Sequence, residues 1–210
     1  MGEIKIGRMT LGMYQTNTYF LYREGSKDTI LIDPADSGDI IYDKLLEKGF
    51  EVKCILLTHA HFDHIFGIKG VRERAKVTVY AFEDEKELLE DPSLNLSNSV
   101  RRSTIINADE FLKDGDTLTL CNMTFKVIHT PGHTKGGCCF YFEEAGFLVA
   151  GDTLFMESIG RSDFPTGNER TLINSIKEKL MALPDEVKVY PGHGPSTTIG
   201  SERINNPFLE

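Results

Sequence analysis

Along most of this chain, short apolar runs rich in β-branched residues alternate with polar breaks that carry glycine, proline or asparagine, and only a few stretches show a helical period. In the opening segment Ile4 and Ile6 alternate with polar neighbours, and Thr18-Tyr19-Phe20-Leu21-Tyr22 and Thr29-Ile30-Leu31-Ile32 are made of good strand formers. Glu24–Asp28 between them is hairpin material, and Asp33-Pro34 stops the third strand. A helix is predicted from Ser37 or Asp39 through Lys48, with Ile41, Leu45 and Leu46 on one face and Gly49 ending it. Val52-Lys53-Cys54-Ile55-Leu56-Leu57 is a nearly continuous apolar run and predicts a buried strand. A short helix follows, opened by Asp63 or its neighbours and kept brief by Gly67 and Gly70. Lys76–Ala81 predicts another strand and Glu83–Glu90 an acidic helix, and residues 91–108 predict a loop with one short helix.

The second half repeats the style. Strands are predicted at 117–120, 124–128, 138–142, 147–150 and 187–190. Asn168 can cap a helix running to about Met181, with Leu172, Ile173, Ile176 and Leu180 as its buried stripe, and a last helix covers 199–205. Strand-rich halves interrupted by a few helices imply sheets packed together under helices, an α+β architecture.

Bulk properties narrow the function. A chain of 210 residues with 40% apolar content can bury a core without disulfide staples. Its net charge of −9 opposes binding to a nucleic-acid backbone, which needs concentrated Lys and Arg. The cysteines Cys54, Cys121, Cys138 and Cys139 form no C-x-x-C pair and sit in or beside strand-like runs, so buried thiols in a reduced, cytoplasmic protein are expected. Cys138 and Cys139 should point to opposite faces of one strand. Neither a signal peptide nor a membrane-spanning run is expected.

The candidate chemistry lies where strands stop. Thr58-His59-Ala60-His61-Phe62-Asp63-His64 follows the apolar run ending at Leu57 and holds three of the six histidines. His133 follows the strand ending near Ile128, Asp152 follows the strand Phe147–Ala150, and His193 follows the strand ending at Tyr190, each with a glycine beside it. Imidazole nitrogen and carboxylate oxygen are zinc ligands in catalytic sites. Seven candidates, His59, His61, Asp63, His64, His133, Asp152 and His193, are too many for one such ion and suit two that share a carboxylate. His129 should face away from its ligand neighbours and take no part.

This set, His59-Ala60-His61-Phe62-Asp63-His64 with His133, Asp152 and His193 in order, resembles the H-x-H-x-D-H signature and later ligands of the metallo-β-lactamase superfamily. The resemblance runs from the Asn17-Thr18-Tyr19 strand to His193. It implies an αββα sandwich with the metals at one edge of the two sheets. It also implies that His59, His61 and His133 hold a first metal, Asp63, His64 and His193 a second, and that Asp152 bridges them. True lactamases of the family commonly carry cysteine where Asp152 stands, and the flavo-diiron branch carries glutamate at the place of His61.

Gly151-Asp152-Thr153-Leu154-Phe155 with Gly160-Arg161-Ser162-Asp163-Phe164-Pro165 looks most like the short, single-domain members of the glyoxalase II-like group. That group implies hydrolysis of acyl-glutathione-type thioesters by a hydroxide bridging two divalent ions, zinc first and iron or manganese as alternatives, with Asp63 both ligand and hydroxide orienter. Arg161 falls where glyoxalase II has a glutathione-binding lysine; its competing role is an ion pair with Asp163. Asp163 and Pro195 replace tyrosines of that family, and its helical C-terminal domain has no counterpart expected within 1–210, which is read as one domain. The rival implied by the same frame is a mononuclear-iron persulfide dioxygenase. Either way the expected partner is a small thioester or thiol-derived substrate, with no nucleic acid and no membrane.

Overall fold

The computed structural model describes residues 2–210, which form four layers, helices outside and two sheets within. In chain order the elements are β1 (Ile4–Leu11), β2 (Thr16–Arg23), β3 (Asp28–Ile32), α1 (Gly38–Glu47), β4 (Glu51–Leu56), α2 (Phe62–Ile65), α3 (Ile68–Arg74), β5 (Thr78–Phe82), α4 (Lys86–Glu90) and β6 (Glu110–Leu112). Then come β7 (Thr117–Leu120), β8 (Met123–His129), β9 (Cys138–Phe142), β10 (Phe147–Gly151), β11 (Leu154–Phe155), β12 (Ser158–Ile159), α5 (Glu169–Ser175), β13 (Lys188–Pro191), β14 (Thr197–Thr198) and α6 (Ile199–Asn205). One six-stranded sheet runs β1-β2-β3-β4-β5-β6 and the other β14-β13-β10-β9-β8-β7.

The two sheets meet through Tyr19, Leu21, Ile30, Ile32, Cys54 and Leu56 on one side and Phe125, Val127, Cys138, Phe140, Phe142 and Val149 on the other. Alternation then sends every second residue outward. Leu31, Val52 and Ile55 pack under α1 and α3 through Ile41, Leu45, Ile68 and Val71. Cys139, Leu148, Ala150 and Val189 pack under the second helical layer through Leu172, Ile176 and Leu180. Cys138 and Cys139 therefore fall in different layers, as period-2 geometry requires. In β4 the alternation slips. The β3–β4 register jumps from Thr29↔Val52 to Ile30↔Cys54, so Lys53 is an extra residue, and Val52 and Cys54 face opposite sides.

Several local expectations change. Ser37 precedes α1 but sits in the left-handed region (φ 49) and makes no side-chain cap. Leu46 is exposed while Ile41 and Leu45, four apart, are buried, because the contact face of this helix is a narrow stripe. Gly70 does not stop a helix; it lies inside α3, where α1 crosses so closely that a Cβ on Gly38 would lie 1.7 Å from the Gly67 carbonyl oxygen. The segment from Glu83 is a short 3-10 turn leading into α4, and α5 continues through Ile176–Leu180 as a π turn. Asn168 caps α5 as expected, its Oδ1 accepting the Thr171 amide at 2.9 Å. Strands β6, β11, β12 and β14 were not foreseen; each is two or three residues long.

Topology explains the convergence of strand ends. β4 runs parallel to β3 and β5, and β10 runs parallel to β13. β8 is antiparallel to β9 and β9 to β10, so β8, β10 and β13 all point the same way. The loops after β4, β8, β10 and β13 therefore open at one edge of the sandwich. Backbone bonds tie the sheets together there: Cys138 N–H to Thr58 O at 2.9 Å and Asn17 N–H to Gly192 O at 2.7 Å. The Tyr19 hydroxyl adds a bond to the Pro191 carbonyl at 2.7 Å. No helix among the described residues is long and apolar enough to cross a membrane.

Candidate metal centre

All seven predicted ligands reach that edge. His59 and His61 precede α2, and Asp63 and His64 lie within it. The Nε2 atom of His133 is 3.2 Å from His59 Nε2 and 2.9 Å from His61 Nδ1. These three atoms form a first trio of buried nitrogens. Asp63, His64 and His193 form a second trio, with Asp63 Oδ2 lying 3.8 Å from His64 Nε2 and 3.3 Å from His193 Nε2. Asp152 stands between the trios. Its Oδ1 is 3.4 Å from His64 Nε2, and its Oδ2 is 3.6 Å from His133 Nε2 and 3.4 Å from His193 Nε2.

Four of the five rings are aimed by their other nitrogen. His133 Nδ1 bonds the Arg161 carbonyl at 2.6 Å, His193 Nδ1 the Tyr14 carbonyl at 3.1 Å, and His59 Nδ1 lies 3.1 Å from Thr58 Oγ1. His64 Nδ1 is held by Asp33 Oδ2 at 2.9 Å. Such outer partners fix the tautomer and orient the ligating nitrogen. Gly192 must be glycine for the same packing: a Cβ there would lie 2.1 Å from Asp152 Oδ1 and 2.7 Å from the His64 ring. Thr16 Oγ1 donates to Asp63 Oδ2 at 2.8 Å and fixes the second carboxylate.

The donor set fits metal ions. His64 Nε2 and Asp152 Oδ1 are fully buried, have no hydrogen-bond partner, and face one another across the cluster; His61 Nε2 is unpaired as well. Two imidazole nitrogens, of His59 and His61, lie within 3.2 Å of a third, that of His133, and three buried lone-pair donors so close need something electropositive between them. Asp33, His59 and His64 also approach one another, but the Asp33 oxygens already accept the Thr58 amide at 2.8 Å, the Thr58 hydroxyl at 2.6 Å and His64 Nδ1. Asp33 is thus an orienting carboxylate.

The trios differ in charge. Burial, followed by the charges of His64 and His133, holds His59 well below the ordinary imidazole value. Burial and then His133 push His61 down to about 3, and burial lowers His133. In the second trio burial also works against charge, but the carboxylates outweigh it: Asp63 and Asp152 raise His64 well above its usual value. Bonds to Asp152 and Asp63 raise His193 to about 9. Burial opposes ionisation of both carboxylates too, yet the His64 charge, with His193 beside it, holds Asp63 below and Asp152 well below the usual range.

Two expectations about neighbouring residues can be placed. His129 lies outside the cluster, stacked 4.2 Å from the Phe82 ring, with Nε2 bonding the Lys135 carbonyl at 3.0 Å. The Arg161 side chain pairs with both oxygens of Asp163 at 3.0 and 2.8 Å and lies 4.3 Å over the Phe164 ring, while its backbone carbonyl aims His133. A mostly apolar cavity of about 370 Å³, lined by Leu11, Met13, Tyr14, Phe62, Phe66 and Val100 among others, opens beside Asp63. Asp33, Thr16 and Glu85, none of them expected from the sequence, contact the cluster or its loops. Asp33 could have been found, since it ends a strand just as the ligands do; Glu85 could not, being one acid among Glu83, Asp84 and Glu85.

A two-sheet sandwich with imidazoles and carboxylates gathered at one edge defines a metal-dependent hydrolase. The sequence profile described as the Metallo-beta-lactamase superfamily matches residues 11–193, and the chain belongs to that superfamily. Among curated proteins it is 39% identical to the "Probable metallo-hydrolase YqgX" of Bacillus subtilis (strain 168), over 98% of each chain. It is 34% identical to the "Hydroxyacylglutathione hydrolase GloC" of Haemophilus influenzae (strain ATCC 51907 / DSM 11121 / KW20 / Rd), over 93% of each chain. Among solved structures, the BLEG-1 B3 metallo-beta-lactamase superposes with a TM-score of 0.93 at 40% identity, covering 98% of this chain and 99% of that one. TTHA1623 in a di-iron-bound form superposes with a TM-score of 0.86 at 34% identity, covering 97% of this chain and 100% of that one. The four layers expected from the resemblance are present.

Proposed function

We propose that the chain hydrolyses small thioesters of the acyl-glutathione type. The observation that carries the reading is the pair of facing ligand trios joined by Asp152, with an apolar cavity opening beside Asp63. His59, His61 and His133 would hold one divalent ion, Asp63, His64 and His193 a second, and Asp152 would serve both. When bound, two such ions supply Lewis-acid polarisation of a carbonyl and activation of water near neutral pH.

The chain's own residues do the rest. The Thr16 hydroxyl bond to Oδ2 fixes the Asp63 carboxylate, which would orient the attacking water. The cavity beside Asp63 has room for an apolar part of the substrate. The resemblance to GloC supports a thioester as the scissile group. Zinc is the preferred ion for a departing thiolate, being borderline-soft, and the di-iron form of TTHA1623 makes iron the alternative. Arg161 is the proposed contact for a substrate carboxylate; it would exchange Asp163 for the ligand, since both side chains are 66% exposed.

The experiment pairs metal analysis of purified protein with four assays: S-lactoylglutathione, longer acyl thioesters, a β-lactam, and oxygen uptake with glutathione persulfide. Two ions per chain and thioester cleavage under nitrogen are expected. Lactam cleavage without thioester cleavage, or one iron per chain with persulfide-dependent oxygen uptake, would sink the proposal.

A further inference from the structure

Glu85 is buried to 1% exposure at the head of α4, although its neighbours Glu83 and Asp84 reach solvent. Its Oε2 accepts the Ala60 amide at 2.7 Å, and Ala60 stands between His59 and His61. Its Oε1 accepts the Thr134 hydroxyl at 2.5 Å and the Gly136 amide at 2.9 Å, both just after His133. One carboxylate thus spans the two loops that supply the first trio. Burial raises its pKa to about 7 against those three donors, so the fold bears a cost to keep an acid there. The contact is close: a Cβ on Gly136 would lie 2.6 Å from the Glu85 amide nitrogen.

The second trio has separate supports. Asp33 holds His64, Thr16 holds Asp63 and the Tyr14 carbonyl holds His193. The first turn of α2 is tied down elsewhere, by the Phe62 amide on the Asn95 carbonyl at 2.9 Å. None of these bonds passes through Glu85.

We propose that Glu85 is a positioning residue that sets the separation of His59 and His61 from His133, and through it the metal affinity of the first trio alone. The inference rests on the two-ion reading above. It assigns the acid a role beyond stability, because a general loosening of the fold would weaken both trios together.

The test is the Glu85→Gln variant at pH 8. Glutamine can keep the Thr134 and Gly136 bonds on its carbonyl oxygen, but its amide nitrogen meets the Ala60 N–H donor to donor, so the strut between loops is cut with little change of shape. Metal-free wild type and variant are titrated with Zn²⁺ against a competing chelator to give two stepwise affinities. His61→Ala and His193→Ala mark which step belongs to which trio.

Glu85→Gln should weaken the first-trio step by about 10- to 100-fold, the usual loss for an outer-shell partner, and leave the second step within about threefold. Unchanged affinity at both steps overturns the inference, as does equal weakening of both with a lowered melting temperature. If Glu85→Gln does not fold, Thr134→Val removes one Oε1 bond and must show the same selective weakening in smaller measure; a uniform or absent effect overturns the inference. Wild type that binds no zinc would overturn the two-ion reading itself, a failure visible before any variant is compared.

Discussion

The two trios are both rich in histidine, yet the fold leaves one neutral and fills the other with paired charges. His59, His61 and His133 have no carboxylate of their own, and burial keeps them neutral, with lone pairs ready. His64 and His193 face Asp63 and Asp152, and in the absence of metal their protons supply the positive charge that those carboxylates require. The same imidazole can thus be a neutral donor or a proton holder, depending only on which neighbour the backbone brings near. One half holds its nitrogens proton-free by desolvation, and the other holds protons that an arriving cation has to displace.

The strongest way to break this comparison is to remove what the halves share. Asp152→Ala should lower metal affinity at both trios and cut hydrolysis by more than about a hundredfold, since losing an outer-shell partner alone costs about 10- to 100-fold. Metal analysis with an activity assay reads this, and full metal content with full activity would refute the shared role. His61→Ala and His193→Ala should each remove one ion per chain and spare the other; a variant losing both ions would show that the halves are not separable.

Asp33→Asn should act less, weakening the second trio by about 10- to 100-fold through His64 and the first only through the Thr58 contact to His59. Chelator competition checks the order, and an equal loss at both steps would contradict it.

The gentlest test changes no residue. At pH 7 His193, raised to about 9, and His64, raised well above its usual value by Asp63 and Asp152, both carry protons, whereas His61 near 3 does not. Filling the second trio should release close to two protons and filling the first almost none. Second-trio affinity should therefore weaken as pH falls through about 9, because protons compete for the ligating nitrogens, while the first stays flat over that range. Calorimetry in buffers of different ionisation enthalpy counts the protons; equal release at both steps would erase the distinction.

Much of the sandwich was legible because its strands are apolar runs cut by turn residues, and a run buried on both faces needs no partner to be recognised. Val52–Leu57 is the example, and even there the extra residue at Lys53 was invisible, since a bulge depends on the register of the neighbouring strand. Leu46 shares the apolar side of α1 yet is exposed, because sequence gives the angular position of a residue on a helix but not the width of the face that touches the sheet. Gly70 looked like a stop and turned out to be a crossing point, because close approach of α1 is not written near it. β6 escaped because three residues, with only Leu112 buried, carry too little pattern.

The cluster of candidate ligands was legible for a different reason. Four of its members are packed into six consecutive residues, and the other three each follow a strand end with a glycine alongside. The sequence by itself therefore determined the donor types, their order and their places at strand termini, all of which are local properties. Only the tertiary structure decided that Asp152 stands between the trios, that Asp33 and Glu85 hold the ligand loops, and that one half is neutral and the other paired. Distances between residues far apart in the chain set those features, and electrostatic energies depend on such distances and on burial, neither of which a linear sequence contains.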